Sequence, residues 1–269
     1  MKISEQARVV ITGAGSGLGR AFCVELAARG AKIVAGDVNL AGLEETRALL
    51  NGAVFHAVSC DVAKLEDVQK LSDVAHDKLG GVDLVVNNAG VATGGLVGEV
   101  PIEDWRWIVG INLMGVVHGC HVFVPQFRAQ SRGGVLNVAS AAGLISAPSM
   151  APYNATKAGV VALTEALHAE LVDSGVHCTV LCPTFFRTNI GKSARGTTAN
   201  DSKMLDRLMD RASLQADGVA KFALDALDRG DLYALPHADG RWFWRLKRLA
   251  PGVYDRIVGM GGKRMFGRK

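Results

Sequence analysis

Two periods alternate along the chain. Short apolar runs, rich in β-branched residues, occupy Arg8–Thr12, Ala31–Asp37, Ala53–Ser59, Asp83–Asn87, Gly134–Ala139, His177–Cys182 and Asp231–Leu235. Between them lie stretches in which apolar residues recur every three or four positions: Gly17–Arg29, Leu40–Leu50, Lys64–Leu79, Trp107–Phe127, Pro152–Asp173 and Asp217–Asp228. Near-continuous apolar strands are the kind covered on both faces, and parallel neighbours need helical crossovers. The pattern therefore predicts an α/β fold, a doubly wound parallel sheet with helices on both faces.

Two segments stand apart from this alternation. Trp107–Phe127 carries no charge over 21 residues, long enough to span a bilayer. It also contains Asn112, His118, His121 and Gln126, which are costly in lipid, so it reads as a buried interface helix. Thr188–Lys203, rich in Gly, Ser, Thr and Asn, is the one long candidate loop.

Composition narrows the class. A chain of 269 residues, 49% hydrophobic and 21% charged with 7 prolines, is neither disordered nor fibrous and suits one large domain. Residues 1–240 are assigned to that domain and residues 241–269 to an extension. Five cysteines, Cys23, Cys60, Cys120, Cys178 and Cys182, lie in apolar segments without C-x-x-C spacing, as buried reduced thiols do. Met1–Gln6 has no signal-peptide apolar stretch, and the expected location is cytoplasmic.

The net charge of +4 is unevenly spread. From Arg241 onward there are nine Lys/Arg against Asp255 alone, leaving a tail of +8 and a remainder of −4. A helix over Arg241–Ala250 groups Trp242, Phe243, Leu246 and Leu249 opposite Arg241, Arg245 and Arg248. Such a helix can lie on an anionic membrane, fold over a cleft or pack on another subunit, and the sequence leaves these open. The acidic body offers no extended footprint for nucleic acid.

Chemistry concentrates at the strand ends. Thr12-Gly13-Ala14-Gly15-Ser16-Gly17-Leu18-Gly19 joins the first strand to the first helix. Glycines there permit a tight turn and let backbone N–H groups approach a pyrophosphate at a helix N-terminus. Gly13, Ser16, Gly17, Leu18 and Gly19 are thus candidate cofactor-binding positions. Asp37 ends the second strand, where a carboxylate accepts from both ribose hydroxyls. A 2′-phosphate would meet that carboxylate, and Ser16, Val38 and Asn39 offer no basic group, so NAD is expected over NADP.

Tyr153-Asn154-Ala155-Thr156-Lys157 places a phenol and an ammonium on one helix face, with Ser140 at the preceding strand end. With Asn112, Asn87-Asn88-Ala89-Gly90 and the glycine loop in order, the chain resembles the short-chain dehydrogenase/reductase family of the single-domain type, from about Ile3 to Leu235. The resemblance implies a Rossmann-type sheet of about seven strands. It implies Tyr153 as general acid/base, Lys157 as ribose ligand and depressor of the phenol pKa, Ser140 as orienter of the reacting oxygen, and Asn112 as holder of a relay water. It also implies Asp61 and Val62 beside adenine, and Asn88, Ala89 and Gly90 beside the ribose. The stretch Pro183-Thr184-Phe185-Phe186-Arg187-Thr188 would embrace the nicotinamide, with Pro183, Phe186 and Thr188 as cofactor contacts. The family usually has glycine where this chain has Thr184. Members pair the helices around Trp107–Phe127 and Pro152–Asp173, so a homodimer or homotetramer is implied.

Three other signals weigh less. His118 and His121 lack a third ligand at suitable spacing and are expected in a core or subunit contact, with no metal. Cys178 and Cys182 share a strand face as packing residues. Arg128 and Arg132 read as an ordinary solvated helix end, although related ketoacyl reductases meet a carrier protein there. The expected function is NAD(H)-dependent interconversion of a lipophilic secondary alcohol and ketone (steroid-like, long-chain or hydroxyacyl), with a pocket lined by Val91–Val97, Ala141–Met150, Phe185, Phe186 and a lid after Thr188. A 3-oxoacyl thioester is the alternative substrate. An NAD-binding sensor that recruits a membrane or protein partner through the tail is the alternative function.

Overall fold

The structure is a computed structural model that describes residues 3, 5–187, 190, 194–196, 209–210 and 212–266. Seven parallel strands form one sheet: β1 (Arg8–Thr12), β2 (Lys32–Asp37), β3 (Phe55–Ser59), β4 (Leu84–Asn87), β5 (Gly133–Val138), β6 (Val176–Leu181) and β7 (Tyr233–Ala234). Their order is β3-β2-β1-β4-β5-β6-β7, as a doubly wound sheet requires. The order reverses between β1 and β4, and a crevice opens there at the carboxyl ends of the strands.

The period of two within each strand divides the core into halves. Val9 and Ile11 of β1 and Ile33 of β2 face one layer, with α1 (Gly17–Ala28), α2 (Leu40–Ala48) and α8 (Ala216–Arg229). Val10, Val34 and Val85 face the other, with α3 (Leu65–Leu79), α5 (Gly115–Ala129) and α7 (Ala151–Glu170). Both faces of β1 and β4 are dry. That is why these strands read as continuous apolar runs.

The uncharged stretch is interrupted. It begins as α4 (Ile102–Val109), opens into a π-helical turn at Gly110–Met114, and continues as α5. By length and composition the run Ile102–Ala129 could cross a membrane. Its polar groups are instead satisfied within the fold: His118 Nδ1 lies 2.9 Å from Val62 O, and Gln126 Nε2 donates to Ser72 Oγ at 2.8 Å. His121 is exposed. All five thiols are free and buried.

The tail forms two helices, α9 (Ala238–Leu249) and α10 (Pro251–Phe266), after a one-turn helix, α6 (Ala142–Ile145), earlier in the chain. The residues grouped on the apolar side of the tail do not all pack against the body. Trp244 packs inward, its ring 5.1 Å from that of Tyr233, whereas Trp242 and Leu249 are 55% and 84% exposed. Gly240 and Tyr254 complete the inward face because close approach there needs either no side chain or a hydrogen-bonding one.

A buried polar chain fixes α5 and α7 on the sheet. Asn87 Nδ2 donates to Asn137 Oδ1 at 2.8 Å, and Asn137 Nδ2 donates to Thr164 Oγ1 at 3.0 Å. Gly119 lies over this chain, and a Cβ there would overlap Asn87 Oδ1. Gly119→Ala should therefore destabilise the fold by about 2–4 kcal/mol. Gly110→Ala, whose Cβ would meet only Ala63 Cβ at 3.7 Å, should be neutral or slightly stabilising. Denaturant melts of the two variants check the contrast, and equal midpoints would contradict it.

Candidate active site

The crevice holds a cavity of about 620 Å³ that runs from Asp37 at one end to Met209 at the other. The glycine loop forms its floor. Gly13, at φ +68°, comes so close to the β4 loop that a Cβ would sit 2.7 Å from Ala89 Cα. Thr12 Oγ1 accepts from the N–H groups of Asn88 and Ala89 at 3.0 and 3.2 Å. Asn88 Nδ2 donates back to Thr12 O and Gly13 O at 2.9 and 3.1 Å. Asn88 thus lines the cavity but spends its amide on binding the two loops together.

Ser16 precedes α1 in extended conformation without capping it, and the first turn holds no acid. The leading N–H groups of α1 are therefore left for an anion at the cavity floor, which suits a pyrophosphate. Asp37 is held by two backbone donors, Gly15 N–H at 2.8 Å and Asn39 N–H at 2.9 Å. Leu18, Asp61, Val62, Ala89 and Gly90 line the same half. Arg20 was not anticipated as part of this end. Its Nη2 donates to Gly15 O at 2.6 Å and Glu45 Oε2 at 2.7 Å, stapling the loop to α2. Its position three residues after Gly17 was the available signal, because that spacing points it back under the turn.

Ser140, Tyr153 and Lys157 meet at the centre of the cavity. Lys157 is buried, and its Nζ donates to Val138 O at 2.8 Å and lies 5.9 Å from the Tyr153 ring centroid. Burial lowers its pKa from 10.5 to about 8. Burial also holds the Tyr153 phenol above its ordinary value, against the pull of the facing Ser140 hydroxyl. The drop in phenol pKa expected from sequence is thus absent from the protein groups alone. Desolvation outweighs them.

Asn112 is fully buried in the π-helical turn. Its Oδ1 accepts from Val91 N–H at 2.8 Å and its Nδ2 donates to Val91 O at 2.9 Å. The side chain therefore fixes the β4 loop, and it is not among the groups that line the cavity. Gly90 separates it from Lys157: a Cβ there would stand 3.3 Å from Asn112 Oδ1 and 3.4 Å from Lys157 Nζ.

The remaining wall is apolar. Val91, Ala92, Ala141, Ala142, Ile145, Ala147, Met150, Phe185, Phe186 and Ile190 line it, together with Pro183 and Thr184. The expected stretch Val91–Val97 contributes only its first two residues. Thr93 pairs with Arg195 and turns the chain away, leaving Val97 77% exposed. The Phe186 ring is fixed 6.3 Å from the His237 ring. Thr188 lies outside the described residues, as does most of the expected loop Thr188–Lys203.

These groups fit a nicotinamide dinucleotide. The uncapped start of α1 and Asp37 would hold its adenosine diphosphate half, while Lys157 and the Pro183–Phe186 wall would hold the other. The pKa of Lys157 also links the site to stability. Between about pH 8 and 10.5 the unfolded chain keeps a proton that folded Lys157 gives up, so this residue's contribution to stability rises with pH across that window. The unfolding free energy of the wild type minus that of Lys157→Met should increase from pH 8 to 10. A difference independent of pH would contradict the buried ammonium.

Comparison with known proteins agrees with this geometry. The family model for short chain dehydrogenase matches residues 7–199. A Mycobacterium tuberculosis protein named as an oxidoreductase, SadH, is 32% identical over 263 residues, 96% of this chain and 95% of the relative. The CLA biosynthesis dehydrogenase/reductase of Lactiplantibacillus plantarum is 34% identical over 232 residues, covering 83% and 80%. Among solved structures, a short chain dehydrogenase/reductase from Burkholderia phymatum in complex with NAD has a TM-score of 0.86 at 37% identity, covering 93% of this chain and 96% of that one. A short-chain dehydrogenase from Sphingobium yanoikuyae in complex with NADPH has a TM-score of 0.76 at 25% identity, covering 92% and 94%.

Proposed function

The chain belongs to the short-chain dehydrogenase family, and on that premise we propose that it interconverts a lipophilic secondary alcohol and its ketone with NAD(H). One observation carries the reading: Ser140, Tyr153 and Lys157 converge on a cavity whose substrate wall is apolar from Val91 to Phe186. Among its described lining residues the only charged side chains are Asp37, Asp61 and Lys157. None of the three belongs to the wall beside Phe185, so the described residues of that wall offer a substrate carboxylate no cation.

The dinucleotide supplies the two-electron acceptor or donor when bound. The protein moves the proton. In oxidation the Tyr153 oxygen takes the hydroxyl proton as hydride leaves the carbinol carbon, and in reduction it returns a proton to the carbonyl oxygen. Ser140 donates a hydrogen bond to that oxygen as charge develops. Lys157 stays charged below about pH 8, its Nζ 5.9 Å from the phenol ring centroid, and the Ser140 hydroxyl opposes the desolvation that raises the phenol. Asn112 holds the loop against which Lys157 packs.

Asp37 supports NAD over NADP. Arg20 is the nearest cation along the glycine loop, and its guanidinium is committed to Gly15 O, Glu45 and Thr46. Buried free thiols fit a reducing compartment. Pairing of α5 and α7 with a second copy would cover the uncharged stretch, as expected for a dimer or tetramer. The outward residues Trp242, Leu249, Val253 and Ile257 support a contact of the tail with an anionic membrane or another subunit. Sedimentation of the full chain with and without anionic vesicles separates those two.

Two substitutions test the reading. Tyr153→Phe should lower kcat/KM by about 100-fold or more while NAD⁺ affinity is kept. Retained turnover would refute the general acid/base role. Asp37→Ala should shift the ratio of kcat/KM for NAD⁺ over NADP⁺ toward NADP⁺ by about tenfold or more. An unchanged ratio would remove Asp37 from cofactor selection.

A further inference from the structure

α6 is one helical turn between the catalytic serine and a residue in left-handed conformation, Ser146 at φ +54°. So short a helix leaves terminal groups that need partners from elsewhere. At its start Ala142 N–H donates to Ser140 Oγ at 3.1 Å, so the serine that faces Tyr153 also caps α6. At its end the partners come from the C-terminal tail. Lys247 Nζ donates to Leu144 O at 2.9 Å and to Ser146 Oγ at 3.3 Å, and the Tyr254 hydroxyl donates to Ile145 O. A cation at the carbonyl end of a helix is also where the dipole favours it.

The two tail donors brace each other, with Lys247 Nζ 5.7 Å from the Tyr254 ring centroid across the bend between α9 and α10. Below, α6 rests directly on the helix that carries Tyr153 and Lys157. A Cβ at Gly143 would stand 2.5 Å from the Lys157 carbonyl carbon. Across the cavity, the tail holds the second wall. Thr184 Oγ1 donates to Asp239 Oδ1 at 3.1 Å, and a Cβ at Gly240 would stand 2.8 Å from Thr184 Cγ2. Thr184 thus occupies the place of the family's usual glycine and ties that wall to α9.

We infer that the tail segment 238–254 is the positioning element for the substrate side of the site. Lys247 and Tyr254 fix α6, hence the Ile145 wall and the Ser140 hydroxyl, and so set the apolar size of the substrate accepted. The inference rests on the reaction proposed above. Lys247 and Tyr254 touch neither substrate nor cofactor and act through α6.

The test uses the full chain with Lys247→Met and Tyr254→Phe, singly and together. Lys247→Arg keeps a donor, and Trp242→Ala alters the opposite, exposed face. NAD⁺ dissociation constants are measured alongside kcat and KM for secondary alcohols of increasing apolar size. Hydrogen exchange is followed over residues 140–147. The double variant should keep its NAD⁺ affinity and lose about fivefold or more in kcat/KM for the largest alcohols, with little change for the smallest. Exchange over 140–147 should quicken while β1 and β4 stay protected. Lys247→Arg should restore most of the profile, and Trp242→Ala should match the wild type.

A double variant whose size profile and 140–147 exchange match the wild type overturns the inference. A wild type that turns over no alcohol or ketone overturns the reaction instead, and the exchange result then decides the positioning role by itself. If the double variant fails to fold, Tyr254→Phe alone is read by the same criteria.

Discussion

An ammonium group inside a protein must be held by fixed acceptors, or it loses its proton. Here Lys157 is held by the carbonyl of Val138, the last residue of β5. That bond aligns α7 with the strand end, and α7 carries Tyr153 one helical turn away. Because the ammonium is buried, its neighbours must be small and close. Gly90 lies against it, and Gly143 lies against the backbone of the same residue. The β4 loop, α6 and the cavity are therefore built around one desolvated charge. The same desolvation acts on the phenol in the opposite sense, so the two pKa values, ordinarily 10 and 10.5, exchange order: the phenol rises and the ammonium falls to about 8. Burial favours the neutral form of each group, and the charge each meets in the loaded site then decides its protonation.

The nucleotide half obeys a different constraint, close backbone approach. Gly13 and Gly19 let the first loop interleave with the Asn88–Ala89 loop, and Thr12, Asn88 and Arg20 lock the result. This leaves a helix start with uncapped N–H groups, flanked by a carboxylate that is already oriented. The two halves meet at the reversal of strand order. A ligand placed there is gripped by backbone at one end and by side chains at the other.

Much of this was legible in the chain. The strands fall where apolar runs do, since the buried faces of β1, β4 and β5 leave no polar alternation to misplace them. The positions around Gly13, Asp37, Ser140, Tyr153 and Lys157 converge because strand ends and the following loops in a parallel sheet point to one side. The π-helical turn at Asn112 was not legible, since one extra residue in a helical turn leaves the periodicity nearly intact. Which side of the tail faces inward was not legible for a related reason. A helical wheel groups Trp242 and Leu249 as apolar without saying what they face, while the tail is tied to the body by hydrogen bonds from Lys247 and Tyr254 to α6, which lies more than 100 residues earlier. Long-range pairs of that kind have no local signature. Nor did the sequence indicate that Asn88 would spend its amide on the glycine loop.

Burial raises the Tyr153 phenol in the protein alone, and on the proposed function the positive charge of bound NAD⁺ would lower it. The chain has three tyrosines, and burial holds Tyr233 and Tyr254 above the ordinary value as well. Phenolate formed below the ordinary tyrosine pKa of about 10 would therefore report on Tyr153. Ultraviolet titration of phenolate, with and without saturating NAD⁺, measures it directly. One phenolate should ionise below pH 10 only with NAD⁺ present, and Tyr153→Phe should abolish it. Identical titrations with and without NAD⁺ would contradict a cofactor charge acting on Tyr153.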